Sequence, residues 1–211
     1  MKTLLLALIA FTMSLKAETK VLAFAGSTRA GSYNQKLVLE AADIARKMGA
    51  TVTVIDFKDF PMPLYDTALE EKGMPAQAKR LRQLMIQSDA IIIASPEHNA
   101  SISATLKNAL DWTSRNAGSY SAEAYQGKKF AIMSASPGKG GGARGLVHLR
   151  AIIEAVGGDV MAKQVSVPTA HQAFDAKGKL ESASLTQELQ QEIQQLIPAS
   201  LAKNDAASKK L

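Results

Sequence analysis

The sequence predicts an α/β protein in which a five-stranded parallel sheet lies between two layers of helices, and three observations carry that expectation. Short apolar runs alternate with helix-period segments five times along the chain. Several of the runs, such as "VLAFA" and "AIIIA", are apolar at consecutive positions, as in strands buried on both faces. A length of 211 residues with 46% apolar content is enough for one domain with a sizeable core.

The elements follow in order. Val21–Ala25 forms the first strand. From about Ser32 to Met48, the residues Leu37, Leu39, Ala41, Ile44, Ala45 and Met48 recur near helical spacing, and Gly49 ends that helix. The β-branched "TVTVIDF" makes the second strand. The next stretch, "KDFPMPLYDTALEEKGMP", holds three prolines and reads as a long loop, functional or partly helical. Pro75 suits the first turn of a helix that runs to about Gln87. "DAIIIAS" is the third strand. "SISATLKNALDWTSR" is a helix with Ile102, Leu106, Leu110 and Trp112 on its apolar side, and Lys107 and Asp111 are spaced to pair on its surface. "KKFAIMSAS" is the fourth strand, "GARGLVHLRAIIEAVG" a helix closing at Gly157–Gly158, and "DVMAKQVSVP" the fifth strand. A last helix, "SLTQELQQEIQQLIP", turns Leu185, Leu189, Ile193, Leu196 and Ile197 inward.

Composition narrows the chemistry. Lys plus Arg number 25 against 19 Asp plus Glu, a net charge of +6 without a concentrated basic stripe, so an anionic small ligand is expected and nucleic acid is not. The absence of cysteine excludes disulfides, thiolate metal sites and a thiol nucleophile. His98, His148 and His171 lie far apart in sequence and form no metal-binding pair. Residues 1–17 read either as a signal-like leader or as a segment upstream of a start at Met13, with the domain at 18–198 and a frayed tail at 199–211. The first alternative implies export and the second a cytoplasmic protein.

In an open parallel sheet, ligands bind beyond the carboxyl ends of the strands. Three segments fall there: "GSTRAGSYN" after strand 1, "SPEHNASIS" after strand 3 and "SASPGKGGGARG" after strand 4. The first offers Ser27, Thr28, Ser32 and Asn34 as hydrogen-bonding groups, Arg29 as a charged fork, and helix amides whose dipole favours a phosphate. Ser32 or Asn34 acting as a plain helix cap is the competing reading. Neither the dinucleotide spacing G-x-G-x-x-G nor a Walker GK[ST] is present. The second segment can lay a tight turn shaped by Pro96 and Asn99 along a flat heterocycle, with Glu97 and His98 beside it. In the third, Ser134 and Ser136 can donate, and the glycines Gly138 and Gly140–Gly142 permit close approach by a planar ring.

"GSTRAGSYNQKL", "PEHNASISATLKNALDW" and "SASPGKGGGARGLVHLR" resemble, in order and spacing, the motifs of the NADPH-dependent FMN reductase family, a flavodoxin-like group that includes quinone, azo-dye and chromate reductases. The likeness covers about residues 20 to 197. It implies a flavodoxin-like three-layer sandwich with strand order 2-1-3-4-5, one FMN per subunit, and NADPH or NADH as co-substrate. The family's phosphate loop carries to Ser27, Arg29, Ser32 and Asn34. Its isoalloxazine-lining segment carries to Pro96, Glu97, His98 and Asn99, with His98 where the family commonly has tyrosine. Its third loop carries to Ser134, Ser136, Gly141 and Gly142, and to Arg144. Ser103 stands where the family commonly has proline, an exchange expected to loosen the start of that helix. The resemblance also implies a homodimer or homotetramer, a small-molecule electron acceptor such as a quinone or free flavin, and ping-pong kinetics. No catalytic side chain or metal is expected, because the flavin carries the chemistry. A non-enzymatic flavodoxin-type electron carrier is the alternative, against which the charge of +6 speaks.

Overall fold

The computed structural model describes residues 18–197; residues 1–17, read as a leader or as a segment upstream of the start, and the expected tail at 199–211 lie outside the described residues, as does residue 198. The central sheet is built from β1 (Lys20–Ala25), β2 (Thr51–Ile55), β3 (Ala90–Ala94), β8 (Lys129–Ala135) and β10 (Val165–Val167). All pair in parallel, in the order β2-β1-β3-β8-β10, which is the order expected. Around it lie α1 (Tyr33–Lys47), a short α2 (Thr67–Glu71), α3 (Ala76–Ile86), α4 (Ala104–Thr113), α5 (Ala143–Ala155) and α6 (Ala183–Leu196).

The period-two alternation of the strands divides the core into two faces. Ala23 and Ala25 of β1, Ala90 and Ala94 of β3, and Ala131 and Ala135 of β8 meet Leu37, Val38 and Ala41 of α1 and Leu189 and Ile193 of α6. Leu22, Phe24, Ile91, Ile93, Phe130 and Ile132 turn the other way, toward Leu81 and Met85 of α3, Leu106 and Leu110 of α4, and Leu149 and Ile153 of α5. Small sheet residues on the α1 side leave room for that helix, whose amino end faces the carboxyl ends of β1 and β8.

Two local features differ from the sequence reading, a divided fifth strand and a small hairpin after α4, while the long loop after β2 is partly helical as expected. The fifth strand is two pieces: β9 (Asp159–Val160) and β10 both pair with β8 but leave Ala131 and Ile132 without a strand partner on that edge. The loop after β2 is partly ordered into a 3₁₀ turn at Phe57–Asp59 and α2. It is fastened to α4, because Pro63 O accepts from Trp112 Nε1 at 2.8 Å and Asn108 Nδ2 at 3.0 Å. Trp112 is fully buried there. A second small hairpin, β6 (Arg115–Asn116) with β7 (Ser119–Tyr120), follows α4.

The segment after β3 is a hairpin, β4 (Glu97–His98) with β5 (Ser101–Ile102), not only a tight turn. Its two corner residues, Asn99 and Ala100, have φ of 49° and 63°. Two consecutive left-handed residues are the signature of a mirror-image hairpin turn, in which asparagine is comfortable and alanine is not. Ala100→Gly should therefore raise stability by about 0.5–1 kcal/mol, the relieved strain exceeding glycine's entropy cost. Urea denaturation of the two proteins measures it, and a lower midpoint for the variant would contradict the strain assignment.

Candidate functional site

The carboxyl ends of β1, β3 and β8 open into one cavity of about 310 Å³. It is lined by Gly26, Ser27, Thr28, Arg29, Ser32, Tyr33 and Asn34 from the first loop, by Pro96, Glu97 and His98 from the hairpin, by Ser103 and Thr105 at the start of α4, and by Ala135, Ser136 and Pro137 from the third loop. The three segments singled out in the sequence thus meet at one place. A volume near the lower end of the roughly 300–1,000 Å³ typical of cofactor pockets suits one planar ring system with a short tail.

The first loop is arranged to receive an anion. Ser32 occupies the N-cap position of α1 but makes no side-chain bond to its amides, and no acidic residue lies in the first turn. The amino end of this 15-residue helix therefore keeps its amides and dipole available. By contrast, Asp66, Ser103 and Ser182 each cap their own helices with a side-chain oxygen. Arg29 is exposed and forms no ion pair among the described residues.

Asn34 has a different task. Its side chain is buried, donates Nδ2–H to Ala135 O at 3.0 Å and accepts the Ala135 N–H at 2.9 Å. The last bond from the β3 side is the Ser95 N–H to Met133 O at 2.8 Å, and beyond it the Asn34 amide continues the ladder. Its side chain ties the first loop to the third through one donated and one accepted hydrogen bond.

Ser103 does the opposite of loosening its helix. Its Oγ accepts from Leu106 N at 3.1 Å, capping α4, and donates to Gly26 O at 2.6 Å. Proline could do neither. Ser103→Ala should cost about 1–2 kcal/mol, since it removes a cap and leaves a buried carbonyl unpaired. Thermal denaturation checks this, and a change below a few tenths of a kcal/mol would contradict it.

In the hairpin, Glu97 is held by Arg144 through Nε at 2.9 Å and by the Gly145 amide at 3.3 Å. Burial works to raise the Glu97 pKa, but the hydrogen bonds and charge of Arg144 and the Gly145 amide together outweigh it and leave the carboxyl below its ordinary range. His98 and Asn99 are exposed, His98 at the cavity rim and Asn99 off it. On α5, His148 Nδ1 meets Ser101 Oγ at 2.9 Å, a second tie between the helix and the hairpin.

The third loop reaches the cavity through Ser136 rather than through Ser134 or the glycines. Ser134 is fully buried behind it. Gly142, at φ 89°, lies directly over Ser134, where a Cβ would come within 1.9 Å of its Oγ. Gly141, at φ 60°, packs against the main chain at Val167–Pro168. The turn itself requires these two glycines. Thr28 lines the cavity as expected, and so do Tyr33, Thr105 and Pro137, which no sequence pattern singles out.

Residues 19–172 match the profile of the NADPH-dependent FMN reductase family. The chain belongs to that family. Among curated relatives of this FMN reductase family chain, an NAD(P)H-dependent FMN reductase of Pseudomonas aeruginosa is 34% identical, over 85% of this chain and 94% of the relative. A quinone reductase of Escherichia coli is 34% identical, over 68% of this chain and 74% of its own length. Among solved structures, a flavoenzyme NAD(P)H:(acceptor) oxidoreductase of Paracoccus denitrificans superposes with a TM-score of 0.73 at 26% identity, covering 84% of this chain and 94% of that one. The site's own residues fit the cofactor the family name implies: an uncapped helix terminus and an unpaired guanidinium among the described residues for a phosphate, opening into a cavity walled by Pro96, Glu97 and His98 on one side and Ala135, Ser136 and Pro137 on the other.

Proposed function

We infer that this chain is an NAD(P)H-dependent oxidoreductase that carries FMN and reduces quinones or similar small acceptors, free flavin included. The observation that carries the reading is the phosphate-receptive amino end of α1 opening into the same cavity as the Pro96–His98 segment. The family membership and the named relatives support the same reading.

FMN, when bound, would supply the two-electron redox chemistry between NAD(P)H and the acceptor. The protein's residues position and shield. Ser27, Thr28, Ser32 and the first-turn amides of α1 would hold the phosphate, and Arg29 would add a charged fork to it. Asn34 keeps the first and third loops at a fixed separation, with Ser134, Gly141 and Gly142 building the turn behind Ser136. Pro96 and the main chain of Glu97 and His98 form a wall for the ring, and Asn99 sets the hairpin that carries them. Glu97, ionised and engaged by Arg144, is a fixed wall and not a proton donor at neutral pH. The exposed side of the cavity at His98 is where both nicotinamide and acceptor enter, so they take turns and the kinetics are ping-pong. A homodimer or homotetramer belongs to the same reading on the family likeness, and a cytoplasmic location on the supply of reduced nicotinamide there. Among the described residues no helix is long and apolar enough to cross a membrane.

The purified protein should show flavin absorption, or acquire it on adding FMN, and the flavin should bleach on mixing with NADPH or NADH and recover with a quinone. Arg29→Ala should weaken FMN about tenfold and leave riboflavin, which lacks the phosphate, unchanged. Equal loss for both ligands would refute the phosphate role, and failure to bind FMN at all would refute the function.

A further inference from the structure

The cleft does not end at the phosphate loop. Ser27, Arg29 and Ser32 also line a second compartment of about 120 Å³, whose other walls include Lys36, Leu39, Asp56 and Lys58. Lys36 and Leu39 in turn border a trench of about 400 Å³ that runs on to the loop holding Lys177. The flavin cavity, the small compartment and the trench are therefore neighbours that share walls across the outer face of α1.

The charges along this path are one-sided in what they leave free. Arg29, Lys36 and Lys58 form no ion pair among the described residues. The carboxylates beside them are engaged: Asp56 caps its turn through the Lys58 amide, Asp43 pairs with Arg46 and Lys179, and Glu40 accepts from the Leu180 amide. Lys36 is held by aromatic faces instead, its Nζ 5.8 Å from the Tyr33 centroid and 5.7 Å from that of Phe174. Leu39, 44% exposed, offers apolar surface where the compartment meets the trench. Positive charge next to an anion loop, followed by an apolar shelf, suits a second phosphate and then a heterocycle.

We propose that this site accepts a flavin dinucleotide as well as the mononucleotide: the second phosphate of FAD lies among Arg29, Lys36 and Lys58, and its adenosine covers Leu39 in the trench. The proposal rests on the FMN reading above, with the first phosphate and the ring in the same places. It assigns Lys36 and Lys58, which have no part in holding FMN, to the choice of flavin.

Titrating the flavin-stripped full chain with FMN, FAD and riboflavin, followed by flavin fluorescence, tests it. FAD should bind within about tenfold of FMN, and Lys58→Ala and Lys36→Ala should each weaken FAD about three- to tenfold while changing FMN less than about twofold. Added salt should erode FAD affinity more than FMN affinity. FAD affinity unaffected by either lysine, or FAD binding more than about a hundredfold weaker than FMN, would overturn the proposal. So would tight binding of ADP to the FMN-loaded chain that the lysine variants weaken, which would give the compartment to a separate nucleotide. Absence of binding by any flavin would instead refute the functional reading on which the proposal stands.

Discussion

Asn34→Ala is expected to lower the unfolding free energy by about 2–4 kcal/mol, because it leaves both main-chain groups of Ala135 without partners in a buried setting. For a domain of this size that is a fall in melting temperature of roughly 5–15 °C. The loss should extend to flavin binding. Asn34 bridges 101 positions in sequence and is the direct tie between the loop assigned to the phosphate and the loop beside the ring. Without it the two loops settle independently, and the entropy of fixing them is paid at each binding event. Riboflavin should therefore lose affinity along with FMN, unlike in Arg29→Ala. Asn34→Asp is the informative control. It retains an acceptor for the Ala135 N–H but sets a carboxylate oxygen against the Ala135 carbonyl and places negative charge under the phosphate site. It should bind FMN more weakly than Asn34→Ala does. Thermal melts and FMN and riboflavin titrations of both variants make the comparison. A fully stable Asn34→Ala with selective loss of FMN would show that the side chain serves the ligand and not the scaffold.

The bridge illustrates what a sequence exposes and what it hides. The strands were legible because β1 and β3 are apolar at nearly every position, and only a strand covered on both sides needs that. Their carboxyl ends then located the three loops without any contact information. Roles inside the loops were less legible, since Ser and Asn side chains can cap a helix, mend a sheet or meet a ligand with the same atoms. Ser103 was expected to weaken α4 and instead caps it while holding Gly26, which depends on a partner 77 residues away. The steric demand of Ser134 on Gly142 is not legible either, because it depends on how the turn folds back over β8. The hairpin at Glu97–Ile102 was hidden by its brevity and by an Asn-Ala corner in place of the familiar Asn-Gly. The break between β9 and β10 was hidden because "DVMAKQVSVP" contains strand residues at both ends and nothing that marks the gap.

That break has a consequence on α6. In "QELQQEIQQL" Glu192 reads as one more polar residue of an amphipathic helix, yet it is fully buried, and among the described residues neither carboxyl oxygen has a partner in good hydrogen-bond geometry, the Ile132 and Val165 amides lying close but poorly aligned. Burial pushes its pKa up to about 8, against a smaller opposing pull from the nearby Ile132 and Val165 amides and the charge of Arg150. Ile132 is one of the β8 residues left without a strand partner between β9 and β10, so the carboxyl sits at the defect in the sheet edge. The folded state thus holds a proton on Glu192 over a range in which the unfolded chain, titrating near the ordinary 4.5, has released it. Because the folded pKa is the raised one, the contribution to stability is fully present below about pH 4.5 and is lost as pH rises toward 8. The slope from this one group is about 1.4 kcal/mol per pH unit at most, which accumulates to several kcal/mol across the window. Glu192→Gln removes the titration and keeps the shape. Wild type and variant should match near pH 4.5, diverge steadily, and differ by about 2–4 kcal/mol in favour of glutamine near pH 8. Urea denaturation at pH 5, 6.5 and 8 reads the difference directly. Parallel pH profiles for the two proteins would mean that Glu192 is ionised in the folded state and that the sheet gap supplies the partners its charge requires.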